Sequence, residues 1–144
     1  MIGIILTGHG DFASGMYSSV KLIAGEKENF ICCNFPDGGS DEDLMHEIEQ
    51  AIEELKVNCE GVIIFCDLKG GSPFQKAVMS AVKSQGVEVI AGSNLPMILE
   101  VTMAREFIEG LEELTVMAIN IGKEQIYRFV KEERKEKPET KGGI

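Results

Sequence analysis

Apolar residues recur along this chain in two alternating rhythms. Short unbroken runs, Ile2 to Leu6, Phe30 to Phe35, Val62 to Cys66 and Val87 to Ala91, read as buried strands. Between them, apolar positions fall three and four apart, the spacing of one helix face. Met16, Val20 and Ile23 mark the first such face. Leu44, Ile48, Ile52 and Leu55 mark the second, and Phe74, Ala77, Val78, Ala81 and Val82 the third. The βαβαβαβ order predicts an α/β fold: a doubly wound, mainly parallel four-stranded sheet with helices on both faces.

Two more helical stretches follow, one from about Asn94 to Arg105 and one carrying Leu111, Leu114, Ala118 and Ile119. Gly122 is expected to break the chain after them. Ile126-Tyr127-Arg128-Phe129-Val130 is the candidate for a short C-terminal strand. It has no hairpin partner of its own, which suits exchange onto the sheet of a second protomer. From Lys131 onward almost nothing is apolar. Residues 1–130 are therefore expected to form one domain and residues 131–144 a charged, disordered tail.

Composition narrows this further. The 144 residues suit one domain with a real core, and 44% hydrophobic with 26% charged residues is the balance of an ordinary globular protein. No apolar run approaches the ~20 residues that cross a bilayer. Met1-Ile2-Gly3 lacks the basic start of a signal peptide, so the expected location is the cytoplasm. A formal charge of −10 and a pI near 4.7 argue against nucleic acid or an anionic membrane as direct partner. They leave room for one phosphate held by backbone N–H groups. Cys32, Cys33, Cys59 and Cys66 form no C-x-x-C pair and read as buried reduced thiols, with no metal site or disulfide framework expected.

The chain has two histidines. His46 lies in an acidic helix and reads as a surface residue. His9 lies in Thr7-Gly8-His9-Gly10, straight after the first apolar run. Open α/β sheets place their ligands at the carboxyl ends of the strands, where His9 falls. Taken alone, it reads equally well as a histidine satisfied within a glycine turn. The third strand ends in Asp67, followed by Leu68-Lys69-Gly70-Gly71-Ser72-Pro73-Phe74. Ser72 then Pro73 reads as a helix start, with Ser as N-cap and Pro at the first helical position. The glycines allow close approach of a ligand, and the exposed N–H groups of a helix start make an anion seat. Phe35 to Ser40 reads as a turn and helix cap, and Asn94 to Met97 as another helix start.

A histidine, a carboxylate and an anion seat at one sheet edge suit phosphoryl transfer to nitrogen. A carboxylate bonded to one ring nitrogen fixes the tautomer and frees the other to attack. Neither G-x-x-x-x-G-K-[ST] nor G-x-G-x-x-G is present, so the expected phosphoryl donor is another protein or a small phosphate compound, and no cofactor is expected.

Ile-Ile-Leu-Thr-Gly-His-Gly, Asp67 with Gly-Gly-Ser-Pro-Phe, and Ala91-Gly92-Ser93-Asn94-Leu95-Pro96-Met97 through Glu100 occur in that order. Together they resemble the IIA components of the bacterial phosphoenolpyruvate-dependent sugar phosphotransferase system (PTS), mannose/fructose/sorbose/N-acetylgalactosamine family. The likeness runs from about Met1 to Val130. It implies that His9 is the phosphoryl acceptor, modified on Nε2, that Asp67 orients it, and that Ser72, Gly71 and Gly10 border the phosphoryl group. It implies the phosphocarrier HPr as donor, a IIB subunit as acceptor, and, through IIB, the membrane IIC/IID sugar permease. It also implies a homodimer. Leu68-Lys69 stands where some relatives carry an aromatic residue, which leaves the sugar open. No IIB sequence follows, so a separate IIA subunit is the expectation. Two other readings use the same residues: the phosphotransfer subunit of a dihydroxyacetone kinase, and a non-catalytic module that binds an anion.

Overall fold

The computed structural model describes residues 1–132. The twelve residues 133–144 of the expected tail lie outside them. The elements are β1 (Ile2–His9), α1 (Phe12–Ala24), β2 (Phe30–Phe35), α2 (Asp41–Lys56), β3 (Gly61–Cys66), α3 (Gly71–Val82), β4 (Val87–Ile90), α4 (Leu95–Ala104) and α5 (Leu111–Glu124). The four strands pair in parallel in the order β2-β1-β3-β4. This is the doubly wound α/β fold read from the sequence.

The strand pleat sorts the core into two layers. Ile2, Ile4, Leu6, Ile63 and Phe65 meet Ala13 and Val20 of α1, Ile98 and Val101 of α4, and Leu114 and Ala118 of α5. On the other face, Ile5, Val62, Ile64 and Cys66 meet Leu44, Ile48, Ile52 and Leu55 of α2 and Ala77 of α3. Three helices thus cover one face and two the other. Because the chain winds first outward to β2 and then back across β1 to β3, the two central strands are β1 and β3. Their carboxyl ends lie side by side at the reversal of strand order.

Four sequence expectations change. β1 does not stop at Leu6. The β1–β2 ladder carries it on through Thr7↔Cys33, Gly8↔Asn34 and His9↔Phe35, so His9 sits on the strand itself. The inward face of α3 is Pro73, Ala77 and Ser80, which leaves Val78 38% and Val82 80% exposed. Small residues let α3 lie close to the sheet, so its buried face is rotated away from the larger apolar residues Val78 and Val82. Ile23 is likewise outside the face centred on Ala13 and Val20.

Gly122 does not end α5, which runs through it to Glu124. A Cβ there would run into Met97 Cε, so the glycine lets α5 pack close on α4. Its carbonyl accepts a hydrogen bond from Asn94 Nδ2 at 3.0 Å. Asn94 Oδ1 in turn accepts from the Met97 amide at 3.2 Å, the N-cap expected for α4. Finally, among the described residues, 126–130 pair with no strand of this chain, and Ile126, Tyr127, Phe129 and Val130 are exposed. The outer edge of β4 is likewise unpaired among the described residues.

Candidate functional site

The end of β1 and the residue after β3 carry the site. Thr7 is register partner of Cys66, so His9 and Asp67 emerge from neighbouring strands. His9 Nδ1 lies 2.7 Å from Asp67 Oδ2, and the His9 amide donates to the same oxygen at 2.8 Å. Asp67 Oδ1 accepts from the Leu68 amide at 2.8 Å. The carboxylate is therefore fixed at both oxygens, and its side chain is only 12% exposed. Burial alone raises its pKa. The amide of His9, the imidazole and the amide of Leu68 together outweigh burial and hold the group below its ordinary value. It stays an acceptor at neutral pH.

An ionised carboxylate only accepts, so the neutral imidazole carries its proton on Nδ1 and has its lone pair on Nε2. The imidazole is 47% exposed, with Phe35 edge-on at 6.1 Å between ring centroids. Two glycines make this placement possible. A Cβ on Gly8 would fall 2.9 Å from Asp67 Cβ and 2.6 Å from the Phe12 ring. A Cβ on Gly71 would fall 2.8 Å from His9 Cε1 and 2.9 Å from Nε2, and Gly71 has φ +76°, a conformation that side chains rarely adopt. The backbone that opens α3 thus lies directly against the free nitrogen. Gly10, with φ +58°, ends β1, and its amide donates to Phe35 O at 2.7 Å. His9, Gly10 and residues 35–39 enclose an open hollow of about 400 Å³.

The geometry corrects one sequence reading. Ser72 is not the N-cap of α3. Gly70, with φ +127°, holds that position, and the helix begins at Gly71. Positive φ at both glycines starts the helix two residues earlier than Ser-Pro alone suggests. Ser72 is the second helical residue, and its hydroxyl donates to Asp41 Oδ1 at 2.8 Å. Asp41 opens α2, whose N-cap is Ser40 as expected. The structure thus joins His9, Asp67 and Gly71 directly, sets Gly10 beside His9, and ties Ser72 to Asp41. Asp41 escaped sequence reading because its acidic neighbours Glu42 and Asp43 share the same helix-start signature. Only the adjacency of α2 and α3 singles it out. His46 is exposed and apart from the site.

The four cysteines are free. Burial pushes the Cys32 thiol up to about 11 and, as the main cause, those of Cys33 and Cys66 to about 12. None of the three is a nucleophile near neutral pH. Among the described residues, no cluster of ligating side chains could hold a metal ion, and no helix is long and apolar enough to cross a membrane.

Comparison with known proteins gives a consistent picture. Residues 3–119 match the family model described as PTS system fructose IIA component. The chain is 33% identical over 125 residues to a PTS system mannose-specific EIIAB component of Escherichia coli (strain K12), covering 87% of this chain and 38% of that protein. It therefore spans about two fifths of the length of that relative. It is 34% identical over 108 residues to a PTS system fructose-specific EIIA component of Bacillus subtilis, covering 75% of this chain and 73% of the relative. Among solved structures, a phosphotransferase system component EIIA from Streptococcus agalactiae superposes with a TM-score of 0.78 at 31% identity, covering 89% of this chain and 97% of that one.

Proposed function

The chain belongs to the PTS IIA family of the mannose, fructose and sorbose type, whose work is phosphoryl transfer in sugar uptake, and from that premise we propose that it is a phosphohistidine carrier acting through His9. The observation that carries the reading is the 2.7 Å contact of His9 Nδ1 with Asp67, which leaves Nε2 free beside Gly71.

In this reading, His9 Nε2 attacks the phosphorus of a phosphohistidine on HPr. The new N–P bond forms as the donor N–P bond breaks, and the donor imidazole leaves with the electron pair. The His9 ring then bears positive charge, which the Asp67 carboxylate stabilises through the Nδ1 proton. The N–H groups that open α3, at Gly71 and Ser72, face developing charge on the phosphoryl oxygens. A IIB subunit then takes the group by the reverse chemistry and delivers it to sugar entering through the IIC/IID permease. Gly10 keeps the backbone open beside the ring.

The same reading places the protein in the cytoplasm, with residues 1–130 as the IIA domain. It also makes the protein a homodimer in which residues 126–130 pair with the β4 edge of the partner. The exposed alternating segment and the unpaired edge support that exchange.

The test is intact-protein mass measurement after incubation with phosphoenolpyruvate, enzyme I and HPr. One added phosphoryl group, labile in acid and stable in base, is expected on the native protein and absent from His9→Ala. Equal incorporation by His9→Ala would refute the assignment.

A further inference from the structure

The hydrogen bond between Ser72 and Asp41 joins the first turns of two helices on the same face of the sheet. Asp41 is the first residue of α2, and Ser72 the second of α3. Both helices open at the carboxyl edge of the sheet, where their free N–H groups favour negative charge. The residue before Ser72 lies against His9 Nε2. Ser72 is thus the next residue after the backbone that faces Nε2, and its hydroxyl is one helical position from the space a phosphoryl group on Nε2 would enter. In this structure its proton is committed to a carboxylate.

From this arrangement we propose that Asp41 is a positioning residue that competes with the phosphoryl group for the Ser72 hydroxyl, and so holds down the stability of the phosphorylated state. The inference rests on the carrier function of His9. In the resting protein the Asp41 carboxylate takes the hydroxyl proton in a charge-assisted hydrogen bond. When His9 carries a phosphoryl group, the hydroxyl turns to a phosphoryl oxygen and Asp41 loses its partner. That exchange makes no covalent bond and moves no net proton; Ser72 changes acceptor. Its effect is to make the phosphohistidine a better donor. A carrier must give the group up as readily as it takes it, and a carboxylate that reclaims the hydroxyl favours giving.

Asp41→Asn keeps the size and leaves a neutral acceptor that holds the hydroxyl less strongly. The equilibrium constant for transfer from phospho-HPr to the variant, read from the phosphorylated fraction at limiting phosphoenolpyruvate, should rise about three- to tenfold, the span of one ordinary net hydrogen bond. Within Ser72→Ala, the same Asp41→Asn change should shift the constant less than about twofold, because the two residues act as a pair. A thermal melt of each variant separates folding from transfer. An unchanged constant in Asp41→Asn overturns the proposal. So does an equal shift with and without Ser72, which would mean that the charge acts without the hydroxyl. If the native protein takes no phosphoryl group at all, the carrier function itself fails, and this inference with it.

Discussion

Two polar side chains, one at each end of the sheet, show what burial does to chemistry. Arg105 lies at the amino-terminal end and is 2% exposed. Its guanidinium donates to the carbonyls of Ile2 at 3.0 Å and Asn29 at 2.9 Å, and to that of Glu28 at 2.5 Å. It pins the approach to β2 against the start of β1. Its Nη1 and Nη2 donors point at backbone, and Nε is buried with no partner among the described residues. His9 lies at the carboxyl end and is half exposed. It spends one ring nitrogen on Asp67 and leaves the other open. A buried group with its hydrogen bonds committed holds the fold. A group fixed at one atom and open at the other can react.

Breaking the first member of the pair should have the largest effect. Arg105→Met removes the guanidinium bonds to three carbonyls, of which Asn29 keeps the Ile4 amide, and should cost roughly 3 kcal/mol in a urea titration. The folded fraction should still accept a phosphoryl group. Asp67→Asn should barely change the fold and should slow transfer to His9 by about a hundredfold, as expected when the group that sets a tautomer is altered. Quench-flow transfer from phospho-HPr measures this.

Gly71→Ala sharpens the contrast, because it touches only the open side of the ring. Strain at positive φ and contact with the ring should together cost about 1–2 kcal/mol and slow transfer by ~10-fold. A smaller effect concerns pH. Asp67 is depressed in the folded state, so its contribution to stability is present above the unfolded carboxyl pKa of about 4 and is lost as pH falls through the folded value. The stability difference between native protein and Asp67→Asn should shrink on acidification below that point. A gap that widens in acid would contradict the geometry. Smallest of all, iodoacetamide at neutral pH should leave native Cys33 and Cys66 unmodified while labelling both in urea.

Much of the fold is legible in the sequence itself. Unbroken apolar runs located the four strands, and their alternation with helical spacing fixed parallel winding, because a parallel pair needs a crossover. That winding is also why His9 and Asp67, 58 residues apart, could be placed at one edge. The misses share a cause. The true face of α3 is built on Ala77 and Ser80, small residues that carry little hydrophobic signal. Gly122 reads as a stop when taken locally, yet it answers Met97 on another helix. Ser72 followed by Pro73 is a strong cap signature, overridden by two preceding glycines at positive φ. The Asp41 contact depends on which helices share a face, and that is a property of topology.

The central claim is that Asp67 holds the proton of Nδ1 and so reserves Nε2 for phosphorus. Nitrogen-15 NMR of the imidazole-labelled protein tests it most directly, before and after phosphorylation by the phosphoenolpyruvate relay. The resting His9 should show a protonated Nδ1, and the phosphorylated ring should show coupling of phosphorus to Nε2 alone. Phosphorus coupled to Nδ1, or a resting ring protonated on Nε2 only, would contradict it.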